Sequence, residues 1–144
     1  MSASITADQL IQRVADELEI RNIIARLALI TDGAGTVDEY VSLFTEDAEW
    51  LMPGAPRHGR DDIRAGSNER RASGQTGEGS NSRHVVSTIA VNVDGSDTAT
   101  SRCYFHFYVN TVESPTLQLT GVYDDTFVRT PDGWQLARRD ITWG

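Results

Sequence analysis

The fold class follows from the stretch Ile20–Trp50, whose sequence is IRNIIARLALITDGAGTVDEYVSLFTEDAEW. Its first third carries apolar residues at helical spacing: Ile20, Ile23, Ile24, Leu27 and Ile30. This spacing predicts a helix with one apolar stripe. The helix is expected to end near Asp32 and the glycines that follow it. A second short helix and the start of a strand then complete the stretch.

Asp32 is the first candidate for chemistry. A carboxylate is electrostatically disfavoured at the C-terminus of a helix, where the macrodipole already concentrates negative charge. Local structure therefore gives no reason for an acid at this position. A role as a solvent-facing cap of the turn is an equally good interpretation of the sequence.

The helices on either side of Asp32 have recognisable starts. Thr6 and Gln9 form one capping box, and Thr36 and Glu39 form another. The first box predicts either one long helix or two helices with a kink near residues 17–19. The apolar residues that continue its stripe toward Ile20 are Ile11, Val14 and Leu18.

The second half of the chain has the composition of strands. We predict a third helix at 60–72, a polar Gly/Ser loop at 73–82, and strands at 83–93, 98–109, 116–130 and 134–143. The loop is either a mobile lid or a plain connector. Helices followed by hairpin-joined strands predict a single α+β domain over residues 1–144, with helices on one face of an antiparallel sheet.

The bulk composition excludes several classes of function. The 144 residues carry a net charge of −8, whereas a nucleic-acid-binding module normally has a basic surface. The one cysteine, Cys103, cannot form an internal disulfide, and no Cys/His spacing resembles a zinc site. No signal peptide or membrane-spanning segment is recognisable. The sequence predicts a cytoplasmic protein without a metal, a nucleic-acid partner or a membrane partner.

Three histidines are available for acid–base chemistry: His58, His84 and His106. His84 opens the first long strand directly after the polar loop, where its side chain could face the mouth of a pocket. A carboxylate beside an imidazole fixes its tautomer and makes a general acid–base pair. Asp32 and His84 are therefore an attractive pair, although spacing alone does not show that they meet. Cys103 is expected to be a buried, inert thiol.

The chain resembles the SnoaL-like domains of the nuclear-transport-factor-two-like superfamily, particularly the branch of scytalone dehydratase and the bile-acid 7α-dehydratases. The resemblance rests on the helix that ends in Asp32 and on four further segments: LFTEDAEW at 43–50, SRH at 82–84, DGSDTAT at 94–100, and GVYDDTFVRTPDGWQLARRDITWG at 121–144. Their order and spacing cover nearly the whole chain.

This resemblance implies a cone-shaped, curved antiparallel sheet that is packed on N-terminal helices and has an apolar pocket in its mouth. It implies that Asp32 and His84 line the pocket, with His84 as the base, and that His106 and Arg139 are further polar pocket residues. The dehydratases also carry a tyrosine on the first helix shortly before the acid, which this chain lacks. Tyr40 or Tyr104 could supply that hydroxyl if either points inward.

We therefore predict a cofactor-independent lyase (a dehydratase) or isomerase that acts on a small, apolar cyclic, polyketide-like or steroid-like substrate. The predicted catalytic residues are Asp32, His84 and His106, and the predicted substrate-binding residues are Tyr40, Trp50, Tyr104 and Arg139. A homodimer or homotrimer is the expectation from the family. The alternative is a non-catalytic domain of the same fold that binds a small molecule or supports another enzyme.

Overall fold

A computed structural model describes residues 4–144 and shows three helices, one π-helical turn and six strands. The helical elements are α1 (Ala7–Leu29), the π-helical turn (Ile30–Ala34), α2 (Val37–Ser42) and α3 (Arg60–Ala72). The strands are β1 (Phe44–Leu51), β2 (Arg57–His58), β3 (Arg83–Asp94), β4 (Thr98–Val109), β5 (Thr116–Thr130) and β6 (Gly133–Trp143). The predicted α+β class is confirmed, whereas the two-residue strand β2 and the π-helical turn were not foreseen.

The first helix is continuous, which settles the choice between one helix and two. Both predicted capping boxes are formed, at Thr6 for α1 and at Thr36 for α2. The second half of α1 buries its apolar stripe, whereas the apolar side chains of its first half are exposed: Leu10, Ile11, Val14 and Leu18. No helix within residues 4–144 combines the length and apolar character needed to cross a membrane.

The six strands form one curved, unclosed sheet in the order β2-β1-β6-β5-β4-β3. Four of the five neighbouring pairs are antiparallel, and β1 pairs with β6 in parallel. The fully antiparallel sheet that we expected is therefore a mixed one. A parallel pair of strands needs a long crossover connection. The chain from β2 through α3 to β5 forms this connection between β1 and β6.

The hydrophobic core lies between α1 and the concave face of the sheet. Ile20, Ile24 and Leu27 of α1 are almost fully buried, as are Phe44 of β1 and Phe127 of β5. Their burial holds the C-terminal end of α1 against the sheet. That end of the helix is where Asp32 lies.

Candidate active site

Asp32 lies in the π-helical turn that ends α1, and the turn is fixed by two neighbouring segments. The Arg71 guanidinium donates hydrogen bonds to the carbonyl oxygens of Ile30 (2.7 Å) and Gly35 (3.1 Å). Gly33, directly after Asp32, has a φ of +114°, a conformation that favours glycine. A Cβ there would lie 2.6 Å from the backbone nitrogen of Glu78. The tight approach of the 73–82 loop therefore helps to fix the position of Asp32.

Asp32 and His84 are in direct contact although 52 residues separate them. His84 Nδ1 lies 2.8 Å from Asp32 Oδ1, and the backbone N–H of His84 donates to both carboxylate oxygens at 3.1 and 2.9 Å. Both side chains are largely buried, with exposed fractions of 17% for His84 and 16% for Asp32. The carboxylate accepts the Nδ1 hydrogen, which leaves Nε2 as the basic nitrogen.

The His84 ring forms part of the wall of a cavity between α1 and the concave face of the sheet. The empty space in and around this cavity is about 680 Å³ with the open solvent at its mouth included, and about 70 Å³ of it admits the centre of a water molecule. Six aromatic side chains contribute to its lining: Tyr40, Trp50, Phe105, Phe107, Tyr123 and Trp143. The His84 ring also packs on Phe107, with 4.7 Å between ring centres. An apolar ring system would therefore be surrounded by aromatic surface.

A second ion pair lies deeper in the same cavity. The Arg139 guanidinium donates two hydrogen bonds to Asp125, both 2.8 Å long, and its carbon lies 3.8 Å from the ring centre of Tyr123. Burial acts to lower the pKa of Arg139, but the attraction of Asp125 and its hydrogen bonds outweigh burial and raise it. Arg139 therefore keeps its positive charge at neutral pH.

Two buried phenols are available as hydrogen-bond donors in the cavity. Burial raises the pKa of both Tyr40 and Tyr123, and the positive charge of Arg139 only partly opposes this. Both hydroxyls therefore keep their protons at neutral pH. Tyr40 thus brings a donor hydroxyl to the cavity.

The structure brings together five of the seven predicted site residues. His84, Tyr40, Trp50 and Arg139 line the cavity, and Asp32 lies directly behind His84.

The expected pocket positions of His106 and Tyr104 need correction. In β4 the small and apolar residues are buried on the concave face, while the polar ones face outward. Tyr104 is 48% exposed on that outer face, and His106 lies half-buried on the same face. The alternation of side chains along a strand places them on the side opposite to Phe105 and the cavity.

The sequence prediction also missed Arg70, Tyr123 and Asp125, which lie at or near the cavity. Tyr123 and Asp125 could have been found, because every second residue of a strand faces the same side. At this spacing both residues share the face of β5 that buries Gly121 and Phe127. Arg70 is on α3, seven residues after Ile63, and therefore lies on the helix face that buries Ile63. That spacing is the signal that could have distinguished it from its neighbours.

The polar loop at 73–82 is part of the cavity wall. Gln75 and Thr76 line the cavity, and Thr76 is only 5% exposed. The Gly77 N–H donates to the Thr31 carbonyl oxygen at 2.9 Å, and the Ser82 hydroxyl donates to the Gln75 carbonyl oxygen at 3.0 Å. The loop is therefore tied both to the turn that carries Asp32 and to itself.

A helix-backed curved sheet with a polar pair at an aromatic cavity places the protein among the NTF2-like, cystatin-like folds. A solved NTF2-like protein with a cystatin-like fold from Novosphingobium aromaticivorans is 28% identical, with a TM-score of 0.83 over 98% of this chain and 92% of that one. A protein of the same bacterium, provisionally named a scytalone dehydratase, is 20% identical, with a TM-score of 0.73 over 92% of this chain and 87% of that one. At 20% identity, the similarity to the second protein supports a shared fold and nothing further.

The sequence profile of the SnoaL-like domain family matches residues 12–140. The chain therefore belongs to the SnoaL-like domain family, and the resemblance inferred from the sequence is confirmed. An uncharacterised protein of Mycobacterium tuberculosis is 45% identical over 58 residues. That segment spans 39% of this chain and 39% of the relative.

Proposed function

We propose that the protein is a lyase or isomerase that moves a proton on a small, mostly apolar cyclic substrate. The observation that carries this proposal is the 2.8 Å contact between Asp32 Oδ1 and His84 Nδ1 at the wall of an aromatic cavity. An imidazole held in this way presents a basic Nε2 to a substrate, which is the arrangement of a general base. Some members of the fold are enzymes, and many are of unknown function.

His84 is the base of the proposed reaction, and Asp32 orients it. Nε2 removes a proton from the carbon beside a carbonyl group, and the electrons of that C–H bond form an enolate. The Tyr40 hydroxyl donates a hydrogen bond to the developing oxyanion. Removal of such a donor in an enzyme costs about 3 kcal/mol of transition-state stabilisation.

The second step decides between a lyase and an isomerase. If a hydroxyl group occupies the β carbon, collapse of the enolate breaks the C–O bond and forms the C=C bond. The proton held on His84 then leaves with the hydroxyl as water. If no leaving group is present, the same proton returns to a different carbon, which gives an isomer. Neither route requires a cofactor, because only a proton and, in the lyase, a hydroxyl group are transferred.

The proposal can be tested without knowing the product. Both routes begin with proton removal, so the enzyme should exchange the α-hydrogen of bound cyclic ketones and β-hydroxy ketones for deuterium in D₂O. Proton NMR measures the rate of this exchange across a panel of one- to three-ring compounds. We expect His84→Ala to slow the exchange by about 10²–10⁴-fold, the usual contribution of a general base.

His106→Ala is the matched control, because His106 lies on the outer face of β4 and away from the cavity. It should leave the exchange rate unchanged. If His84→Ala and Asp32→Asn exchange as fast as the wild type, the proposed reaction is wrong. If these variants alter only the affinity for a ligand that the protein never converts, the alternative of a non-catalytic binding domain is correct.

We also propose that the protein forms a homodimer or homotrimer in the cytoplasm. The apolar side chains on the first half of α1 support an assembly, since Ile11 is 66% exposed and Leu18 is 58% exposed. Burial of such a stripe against another copy would be favourable. Light scattering coupled to size-exclusion chromatography should give two or three chains, and Ile11→Glu should lower that number. A wild-type monomer would contradict this proposal.

A further inference from the structure

Arg70 brings a positive charge to the cavity wall that no carboxylate of the described chain neutralises. Its guanidinium carbon lies 4.6 Å from the ring centre of Trp50, and its side chain lines the cavity. Within residues 4–144, no Asp or Glu oxygen comes within 4.0 Å of its nitrogen atoms. Burial is the main influence on Arg70 and lowers its pKa, but a guanidinium remains charged at neutral pH.

The other arginines of α3 differ from Arg70 in having acceptors within the protein. Arg60 donates to the carbonyl oxygen of Phe44, Arg64 pairs with Asp38, and Arg71 donates to two carbonyl oxygens of the Asp32 turn. In the cavity itself, Arg139 is neutralised by Asp125. Among these arginines, Arg70 is the one without a carboxylate or carbonyl partner within residues 4–144. Its charge is therefore available to an anionic ligand.

A partly desolvated cation without a counter-charge is unfavourable, and an anion beside it would relieve that cost. Nearby Arg57 does not offset the charge of Arg70, since it is itself a cation and is paired with Asp62 and Glu69. One guanidinium matches one carboxylate in charge and in its forked geometry. A phosphate carries up to two charges at neutral pH and would need further donors.

The groups around Arg70 define the rest of the ligand. The rings of Tyr40, Trp50 and Tyr123 line the same cavity, and Phe105 stacks on Tyr123 with 4.3 Å between ring centres. These surfaces favour a flat ring system over a flexible chain or a sugar. His84 lines the same cavity, so a ring placed within it could reach both Nε2 and the cation.

We propose that the cavity binds cyclic or aromatic compounds that carry a carboxylate, and that Arg70 is the residue that recognises the carboxylate. The proposal rests on the function proposed above and names its substrate class. Arg70 binds the carboxylate while the aromatic lining holds the ring, which orients the carbon to be deprotonated relative to His84. Arg70 is thus a specificity-determining residue and takes no proton.

The experiment compares two probes that have the same ring system and differ in charge, 2-naphthoate and 2-naphthamide. Calorimetry, or quenching of tryptophan fluorescence, measures their dissociation constants at low salt. For the wild type we expect 2-naphthoate to bind at least about tenfold more tightly, as charge-assisted hydrogen bonds allow. Arg70→Gln should abolish this preference, and Arg70→Lys should retain part of it. Arg64→Gln, on the same helix but exposed and paired with Asp38, should keep it entirely.

Several results would overturn the proposal. The proposal is wrong if the wild type binds both probes equally, or if it shows no saturable binding of 2-naphthoate up to millimolar concentration. A preference that survives in both Arg70 variants would also overturn it. A folded Arg70→Lys variant, checked by circular dichroism, keeps the test decisive if Arg70→Gln does not fold.

The experiments distinguish a failure of the proposed ligand class from a failure of the proposed reaction. His84→Ala should bind 2-naphthoate with its preference intact, because the recognition charge is on Arg70. If the preference is present and no exchange chemistry is found, the ligand class holds and the proposed reaction fails. If exchange depends on His84 but 2-naphthoate has no advantage, the reaction holds and the ligand class fails.

Discussion

Asp32–His84 and Arg139–Asp125 are two carboxylate pairs at one cavity, yet only the first can move a proton. Arg139 and Asp125 are 5% and 0% exposed and share two hydrogen bonds, whereas Asp32 and His84 are 16% and 17% exposed. A guanidinium does not release its proton near neutral pH, but an imidazole does. Burial and partner chemistry therefore assign a structural role to one pair and a reactive role to the other.

The largest expected effect is on the free energy of unfolding of Asp125→Ala. This change leaves Arg139 buried without its counter-charge, which typically lowers stability by about 3–5 kcal/mol. Asp124→Ala is the matched control, because Asp124 faces outward and lies 3.7 Å from exposed Arg102. It should lower stability by less than about 1 kcal/mol. Equal losses in urea unfolding would contradict the structural role of the buried pair.

A somewhat smaller loss of stability is expected for Gly33→Ala. This change disturbs the turn that carries Asp32 without changing any charge. The positive φ and the 2.6 Å approach to Glu78 should together lower stability by about 3 kcal/mol. Gly79→Ala is the control, since Gly79 has a φ of +82° but no atom within 4 Å of the added Cβ. It should lose only about 1–2 kcal/mol from backbone strain. Urea unfolding of both variants measures the difference.

A third carboxylate pair, Asp16–Arg129, extends the comparison to a site outside the cavity. Burial acts to raise the pKa of Asp16, but hydrogen bonds from Trp134, Arg129 and Gln12 outweigh it, so the pKa is lowered. The ionised form therefore stabilises the fold above the unfolded-state pKa of about 3.9, and this stabilisation is lost as the pH falls through the lowered folded-state value.

The wild type should consequently be more stable than Asp16→Asn by about 1–3 kcal/mol at pH 7. The difference should stay constant down to about pH 5 and shrink below about pH 4. Urea unfolding at several pH values measures it. A difference that grows toward acid pH would have the wrong sign for a lowered pKa.

The smallest expected effect on stability is that of Asp32→Asn. The asparagine side-chain oxygen can still accept the backbone N–H of His84, and the site is partly solvated, so the loss should stay within about 1 kcal/mol. Thermal unfolding measures this change. A loss as large as that of Asp125→Ala would show that the Asp32–His84 pair is also mainly structural.

Local patterns predicted most of the fold. The capping boxes at Thr6 and Thr36 and the composition of 60–72 predicted the three helices, because caps and helical periodicity act over a few residues. The parallel pairing of β1 with β6 was missed, because nothing local specifies which distant strand becomes a neighbour. The contact between Asp32 and His84 was a prediction that required the family resemblance, since the two residues are 52 positions apart.

A bulge explains why the alternation of side chains alone does not place Arg139 in the cavity, although the family resemblance does. In β6, Trp134 and Leu136 are buried, and strict alternation would turn Arg139 away from the core. A register shift between β5 and β6 adds one residue at this point and turns Arg139 inward. The β3–β4 pairing also shifts beside Tyr104, but the extra residue is on β3, and the alternation along β4 is uninterrupted there. The outward position of Tyr104 could therefore have been predicted once the buried face was known.

The measurement that tests the central claim most directly is ¹⁵N NMR of the histidine rings in the wild type and in Asp32→Asn. If Asp32 accepts the Nδ1 hydrogen, the neutral His84 ring should carry its proton on Nδ1 and leave Nε2 basic. His106, on the outer face of β4, should show no such preference for Nδ1 and should not respond to Asp32→Asn. A neutral His84 ring protonated on Nε2 in the wild type would contradict the assignment of this pair as the proton-transfer centre.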